Sequence, residues 1–387
     1  MAAHQDRFII GLTGNIGTGK SLVRKMLQHL GAYGIDADFL THEALKPHGP
    51  AVEHVLHRFG SSILDSHGAV DRVKLAHIVF NDEKALDDLE NILHPFVSIA
   101  AANIINHARL PIIIIEAIKL LDSDLADICD SVWVVDAQER VIFDRLSDDR
   151  GMDRAEIKER LSIQSSPEIK KKRADVVIEN SRDAYQTWLQ VARAWDQMIV
   201  KEPSFASYVK RTSELLAFTK GFLVTPSSES FSTIENLIYK GDQPSKYIKW
   251  LVDKKDFPPA RQDFNRLVCQ YFLFAFSDIF NNQNITFWDL SQYELTLSGY
   301  TNTDSDIVSD DFKKMVALIE QFSSLHITQR IVIPIEDMLK ERNSFLRGNG
   351  YKPLPRGDKD FSDWNKAGYN LYKRKVCDAF DLFRKPT

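Results

Sequence analysis

Near the amino end, Phe8-Ile9-Ile10-Gly11-Leu12-Thr13 runs straight into Gly14-Asn15-Ile16-Gly17-Thr18-Gly19-Lys20-Ser21. An apolar stretch thus breaks into a glycine-rich loop that closes on Lys-Ser, and the spacing satisfies G-x-x-x-x-G-K-[ST]. A loop that wraps polyphosphate turns its own amides inward through backbone angles that a Cβ obstructs, so this chemistry asks for glycine. Lys20 brings a cation to the β- and γ-phosphates, and Ser21 offers a hydroxyl to Mg2+. The residues from Gly14 to Ser21 are therefore the expected ATP-binding loop. Three acids stand where they can serve the same phosphates. Asp36 and Asp38, in Ile35-Asp36-Ala37-Asp38, alternate at the end of a strand-like run, and either can orient or deprotonate a hydroxyl attacking the γ-phosphate. A plainer use of such an aspartate is to cap a helix beginning near Leu40. Glu116, closing Pro111-Ile112-Ile113-Ile114-Ile115-Glu116, suits the acid that holds Mg2+ directly or through water.

These groups meet only if the chain alternates strands and helices. Phe8 to Leu12 reads as a strand, and Leu22, Met26, Leu27 and Leu30 carry helical spacing, so that a helix N-terminus faces the anion. Gly31 to Asp38 reads as a second strand. Residues 51 to 93 read as helices broken at Gly60 and at Asp65-Ser66-His67-Gly68, with Asp71-Arg72 heading the next helix. Closure is expected at His94-Pro95, because proline disfavours helical geometry in the residue before it. The β-branched run at 111–116 reads as a buried parallel strand. Ser131 to Asp136 and Ala174 to Asn180 follow as strands, with helices after each, through Leu146 and about Ile199. The expected class is α/β, a parallel sheet flanked by helices, with ligands beyond the carboxyl ends of its strands.

Between residues 145 and 173 the chain is rich in Arg145, Arg150, Arg154, Arg160 and Lys170 to Arg173, mixed with acids. Charge runs are mostly solvated faces. In phosphoryl transfer a basic helical pair also serves as a lid that brings cations onto the moving group.

With 387 residues, 44% of them hydrophobic and 27% charged, the chain has room for two domains, divided here at 1–200 and 201–387. A net charge of -5 gives no ground for nonspecific nucleic-acid binding. The three cysteines, Cys129, Cys269 and Cys377, form no C-x-x-C pair, and no apolar run is long enough for a membrane span, which together read as a cytoplasmic protein.

Taken together, Gly11-Leu12-Thr13-Gly14, Gly17-Thr18-Gly19-Lys20-Ser21, Ile35-Asp36-Ala37-Asp38, Val70-Asp71-Arg72, Leu93-His94-Pro95, Arg160 with Gln164, and Ala174-Asp175-Val176-Val177-Ile178-Glu179-Asn180 resemble the dephospho-coenzyme A kinase family over about residues 7 to 200. The resemblance implies a P-loop kinase that uses ATP and Mg2+ to phosphorylate the ribose 3′-hydroxyl of dephospho-coenzyme A. It implies Asp38 as the base, Lys20 and Ser21 on phosphate and metal, and Asn180 near the adenine. Asp36, Asp71, Arg72 and His94 fall on the acceptor side, and Arg145 and Arg160 in or beside the lid, with Arg160 also assigned to substrate. The chain departs from the family at Asn15, at Leu22, at Lys119 where a proline is expected, and at Asp148-Asp149-Arg150, where the lid arginine is expected at 149. Arg150 is the expected lid cation.

Residues 201–387 carry no motif of this kind. Glu202-Pro203-Ser204 reads as a linker, residues 260–280 and 369–385 as helices, residues 300–311 and 347–357 as loops, and Gln329 to Pro334 as a strand. The expectation is a mostly helical accessory domain, with partner or regulatory contacts as its role. Two rivals to the leading reading are another small-molecule or nucleoside kinase on the same scaffold, and a nucleotide-binding regulatory protein whose altered lid does not catalyse.

Overall fold

The computed structural model describes residues 6–80, 82–201, 203–220 and 226–240, and beyond them 243–244, 248–250, 261, 274–277, 285–290, 294–301, 310–326, 330–336, 340–353, 369–375 and 382–384. Strands β1 (Phe8–Thr13), β2 (Tyr33–Asp36), β3 (Ile112–Glu116), β4 (Ser131–Asp136) and β5 (Val176–Glu179) form one sheet in the order β2-β3-β1-β4-β5. Every pairing in it is parallel. Helices α1 (Lys20–Leu30), α2 (Ala37–Ala44), α3 (Val52–Phe59), α4 (Arg72–Phe80), α5 (Glu83–His107), α6 (Glu139–Arg150), α7 (Arg154–Ser162), α8 (Pro167–Lys172) and α9 (Ala184–Lys201) connect or follow the strands.

The continuous apolar runs of β1 and β3 are buried along their whole length. Because side chains alternate across a pleat, Ile9, Ile35, Ile113 and Ile115 pack with Ala100, Ala101 and Ile104 of α5 on one face. On the other, Ile10, Leu12, Ile112, Ile114 and Trp133 pack with Leu22, Val23 and Met26 of α1 and Trp188 of α9. The parallel order puts the ends of β1, β2 and β3 on one edge. Register pairs Leu12 and Asp36 each with Glu116, so the loop after β1 and both acids share that edge.

Two local expectations fail for identifiable reasons. The second strand stops at Asp36, which turns its side chain to accept from Phe39 N at 2.9 Å and so caps α2. Asp38 therefore sits in the first turn of a helix and not on the strand. The helix expected to close at His94-Pro95 runs through both, as α5. Proline removes one helical donor, and the apolar stripe of Leu93, Val97, Ala100, Ala101, Ile104 and Ile105 carries the helix past it.

In the second half Pro203 opens a helix, α10 (Pro203–Lys220), and not a linker, as suits a residue with no N–H to lose in a first turn. It is followed by α11 (Ser228–Ile238), α12 (Asp310–Leu325) and α13 (Lys340–Gly348). Beside these helices stands a sheet that the sequence reading did not anticipate. The strands in this region are β6 (Tyr239–Lys240), β7 (Gln243–Pro244), β8 (Ile248–Trp250), β9 (Phe274–Ser277), β10 (Ile285–Leu290), β11 (Glu294–Thr301), β12 (Arg330–Glu336), β13 (Lys352–Pro353) and β14 (Tyr369–Lys375). All but the β6-β7 pair join one seven-stranded sheet, ordered β13-β14-β12-β11-β10-β9 with β8 against β11. The expected strand at 329–334 is β12, whereas the segments at 274–277 and 369–375, expected as helix, are strands. The rest of the expected helix at 260–280 lies outside the described residues apart from Arg261, as do residues 302–309 and 354–357 of the expected loops. Among the described residues no helix is long and apolar enough to cross a membrane.

The second half closes over the first. Leu325 is buried in the cluster around Ile113, and Leu382 and Phe383 pack against it. Tyr208 and Phe231 lie against the opposite face. The Asn103 side-chain amide donates to the carbonyls of Leu382 and Arg384 at 2.8 and 2.7 Å. Asn103→Ala strands these two acceptors, and a loss of about 1–3 kcal/mol is expected. Urea unfolding checks this, and a variant with an unchanged midpoint contradicts the seam.

Candidate active site

The loop between β1 and α1 is built around its glycines. At Gly14 a Cβ would lie 2.2 Å from the Val135 carbonyl oxygen, and at Gly19, with φ +92°, it would lie 2.1 Å from Asn180 Nδ2. No other residue type fits either place. The Asn15 carbonyl gathers the inner contacts, accepting from Thr18 Oγ1 at 2.9 Å and Lys20 Nζ at 3.1 Å. Behind the loop, the Thr18 carbonyl accepts from Asn180 Nδ2 at 2.7 Å and Arg145 Nη1 at 3.3 Å, while Arg145 Nη2 donates to the Asn180 carbonyl at 2.8 Å. Thr187 Oγ1 donates to Asn180 Oδ1 at 2.7 Å. Asn180 and Arg145 therefore brace the loop from behind. The Ile16 amide is turned sideways, donating to Gln164 Oε1 at 2.9 Å.

Lys20 is 7% exposed, and among the described residues its ammonium makes no ion pair. Burial pulls its pKa below the ordinary lysine value, and nearby Glu116 and Asp38 oppose that shift. Glu116, 5% exposed, accepts from Ser21 Oγ at 2.8 Å through one oxygen and from Arg24 Nε at 2.5 Å through the other. Burial alone would raise its pKa, but Arg24 and Lys20 overcome it and hold the carboxyl below the usual range.

Asp38 differs from both acids beside it. Among the described residues it has no hydrogen bond or ion pair, and the residue as a whole is exposed. Protein nevertheless surrounds the carboxyl closely enough to strip much of its hydration, and Asp36 and Glu116 add repulsion. Lys20 and Arg150 offset this only in part, and the pKa is raised to about 6. Desolvation depends on protein mass several ångströms deep, so this exposure does not cancel it. Arg150 ends α6. It is near enough to lower the pKa of both Asp38 and Lys20, so the cation expected at the lid lies close to both groups.

Of the residues expected on the acceptor side, Asp71 accepts from Val73 N and Lys74 N at 3.0 and 3.2 Å and heads α4. Arg72 reaches His42 on α2, and burial with Arg72 lowers the His42 pKa. His94 stays half-buried within α5. Arg160 pairs with Glu156 on its own helix at 2.8 Å.

Two cations escaped the sequence reading. Arg24 was read as part of a helix, and its position one turn after Lys20 was the available signal. Lys170, 3% exposed, donates to the Ile118 carbonyl at 3.0 Å, and burial with the nearby Lys20 charge lowers its pKa to about 8. It belongs to the basic run at 170–173, in which Lys171 is held by Asp136 and Arg173 by the Leu121 carbonyl.

A parallel five-stranded sheet whose first strand feeds a glycine-rich Gly-Lys-Ser loop, close to a carboxylate with no partner among the described residues, defines a P-loop kinase. A family model described as dephospho-CoA kinase matches residues 8–186. A dephospho-CoA kinase of Thermobifida fusca is 35% identical over 190 residues, covering 49% of this chain and 95% of the relative. One of Aquifex aeolicus is 40% identical over 190 residues, covering 49% and 96%. Among solved structures, TT1252 of Thermus thermophilus is 28% identical with a TM-score of 0.46, covering 50% of this chain and 98% of its own. The chain belongs to the dephospho-CoA kinase family.

The Asp38 shift carries a stability signature. Its folded-state pKa lies above the ordinary 3.8, so ionisation opposes folding. The cost is absent where both states are protonated, grows between pH 3.8 and about 6, and is full above that window. Asp38→Asn should therefore raise Tm at about pH 8 and leave it nearly unchanged at about pH 3.5. Melting curves at the two pH values check this, and equal shifts at both contradict the environment described.

Proposed function

We propose that this chain transfers the γ-phosphoryl group of ATP to the ribose 3′-hydroxyl of dephospho-coenzyme A, the last step of coenzyme A synthesis, with Asp38 as general base. The observation that carries the assignment is the pairing of opposites at the loop. Lys20 is a buried ammonium with no ion pair of its own among the described residues, and Asp38, close by, is the one of the three acids with its oxygens uncommitted.

In this reading the loop amides and Lys20 hold the triphosphate tail, and Asp38 accepts the proton of the acceptor hydroxyl. The freed oxygen forms its bond to the γ-phosphorus as the bond to the β-γ bridging oxygen breaks, and that electron pair leaves on ADP. A base whose pKa is about 6 is ionised near neutrality and still basic enough to take the proton. Arg150, already close to both Lys20 and Asp38, supplies positive charge to the transferring group, and Arg145 and Asn180 keep the loop in shape. Asp36, Asp71, Arg72 and His94 border the side from which the acceptor enters, with Arg160 on the lid helix α7.

Magnesium fits the donors present. Ser21 Oγ and Glu116 Oε1 are hard oxygens 2.8 Å apart at the loop's end. Held there, the ion would supply charge neutralisation to the triphosphate tail. No group of three or more His, Cys, Asp or Glu suited to a metal occurs among the described residues, so Ser21 and Glu116 are the side chains that would hold the ion.

Asp38→Asn is expected to lower kcat by about 10²–10⁴-fold while ATP binding, followed by calorimetry, stays within a few-fold. Arg150→Ala is expected to lower kcat by about 10²-fold. Steady-state assays on the full chain with dephospho-coenzyme A measure both. Full activity in Asp38→Asn removes the base assignment, and full activity in Arg150→Ala removes the lid cation.

A further inference from the structure

Arg24 lies at the back of the site, 7% exposed, one turn along α1 from Lys20. Its Nε is 2.5 Å from Glu116 Oε2, its Nη2 is 3.6 Å from Asp36 Oδ2, and its Nη1 donates to Gln28 Oε1 at 3.3 Å. One guanidinium thus spans the ends of two neighbouring strands, β2 and β3, whose terminal acids face each other in register. Glu116 also lies within the field of a second cation, Lys20. A buried carboxylate close to two cations can bind either. The structure holds the arrangement in which Glu116 is committed to Arg24 and Ser21, and the Lys20 ammonium rests on the Asn15 carbonyl instead.

We infer that Arg24 is a positioning residue that keeps Glu116 off Lys20 and on Ser21, so that Lys20 stays available to the nucleotide's phosphates. The inference rests on the reading of Lys20 as the phosphate lysine. A guanidinium suits this task because its planar fork reaches both carboxylates from one fixed position, whereas an ammonium is a single point of charge. Without Arg24 the nearest cation for Glu116 is Lys20, and an ion pair between them must be broken before phosphate can bind. The fraction of molecules competent to bind nucleotide then falls, and apparent affinity falls with it.

The test is calorimetric titration of the full chain with ATP in the absence of magnesium, where no metal linkage enters. Arg24→Gln is expected to weaken binding by about tenfold, the loss when roughly one molecule in ten keeps Lys20 unpaired. The double variant Arg24→Gln with Glu116→Gln removes the competing carboxylate and is expected to return affinity to within about twofold of Glu116→Gln alone. A role confined to helix packing lowers Tm without this recovery. Arg24→Lys, which reaches only one carboxylate, is expected to lose about threefold, and it carries the comparison if Arg24→Gln does not fold. Unchanged affinity in the Arg24 variants, or no recovery on adding Glu116→Gln, overturns the inference. A wild-type chain that does not bind ATP overturns the phosphate-lysine reading itself.

Discussion

A carboxylate taken out of water must be met by cations and donors or it loses its charge, and the carboxyl edge of this sheet is arranged around that requirement at Glu116. The acid ends β3, and its two oxygens are taken by residues of α1, Ser21 and Arg24. The contact ties the helix that follows the phosphate loop to the strand beside β1, and through Arg24 it reaches β2 as well. The loop's position relative to the acids therefore follows from one satisfied charge. The remaining asymmetry lies at Asp38, where burial and the charges of Asp36 and Glu116 raise the pKa and Lys20 and Arg150 offset them only in part.

The relatives that match the first half are nearly covered by it, at 95% and 96% of their lengths, yet here that half is not packed as a free-standing unit. Asn103, near the C-terminal end of the helix that backs the sheet, donates to carbonyls near the far end of the chain. Phe383 touches both the sheet cluster and the cluster built from α3, α4 and α5. His326, just past α12, stacks on Tyr33 of β2 with ring centroids 6.5 Å apart, and its burial lowers its pKa to about 3. The second half thus supplies apolar cover and hydrogen-bond acceptors to the first.

The sequence made the sheet legible where one signal dominated. The β-branched runs at 8–13, 112–116 and 131–136 are strands within a residue or so of where they were read, because a strand buried on both faces leaves no competing pattern. The phosphate loop was legible because Gly14 and Gly19 leave no room for a Cβ, which would lie 2.2 and 2.1 Å from neighbouring atoms. Misreadings came where tertiary packing overrode a local rule. Pro95 marks an end by its own chemistry, but the apolar stripe of α5 carries the helix through it. The strand at 369–375, Tyr-Asn-Leu-Tyr-Lys-Arg-Lys, has a composition that a helix tolerates, and its place between β12 and β13 comes from partners distant in sequence. Motif and strand order were enough to expect Lys20, Ser21, Asp38 and Glu116 near one another, and the structure brings them to one edge of the sheet. Arg24 and Lys170 were not legible in this way, since a cation on a helix reveals its partner only when the strands around it are assembled. Arg145 and Asn180 were read as site residues, and the structure adds that they touch the loop's back.

The most direct measurement is the identity of the product. Purified protein is incubated with ATP, magnesium and dephospho-coenzyme A, the products are separated, and phosphorus NMR with mass spectrometry locates the added group. The account predicts one phosphoryl group on the ribose 3′-oxygen for each ADP released. ADP formed with the acceptor unmodified, or phosphate placed on another oxygen, would contradict it.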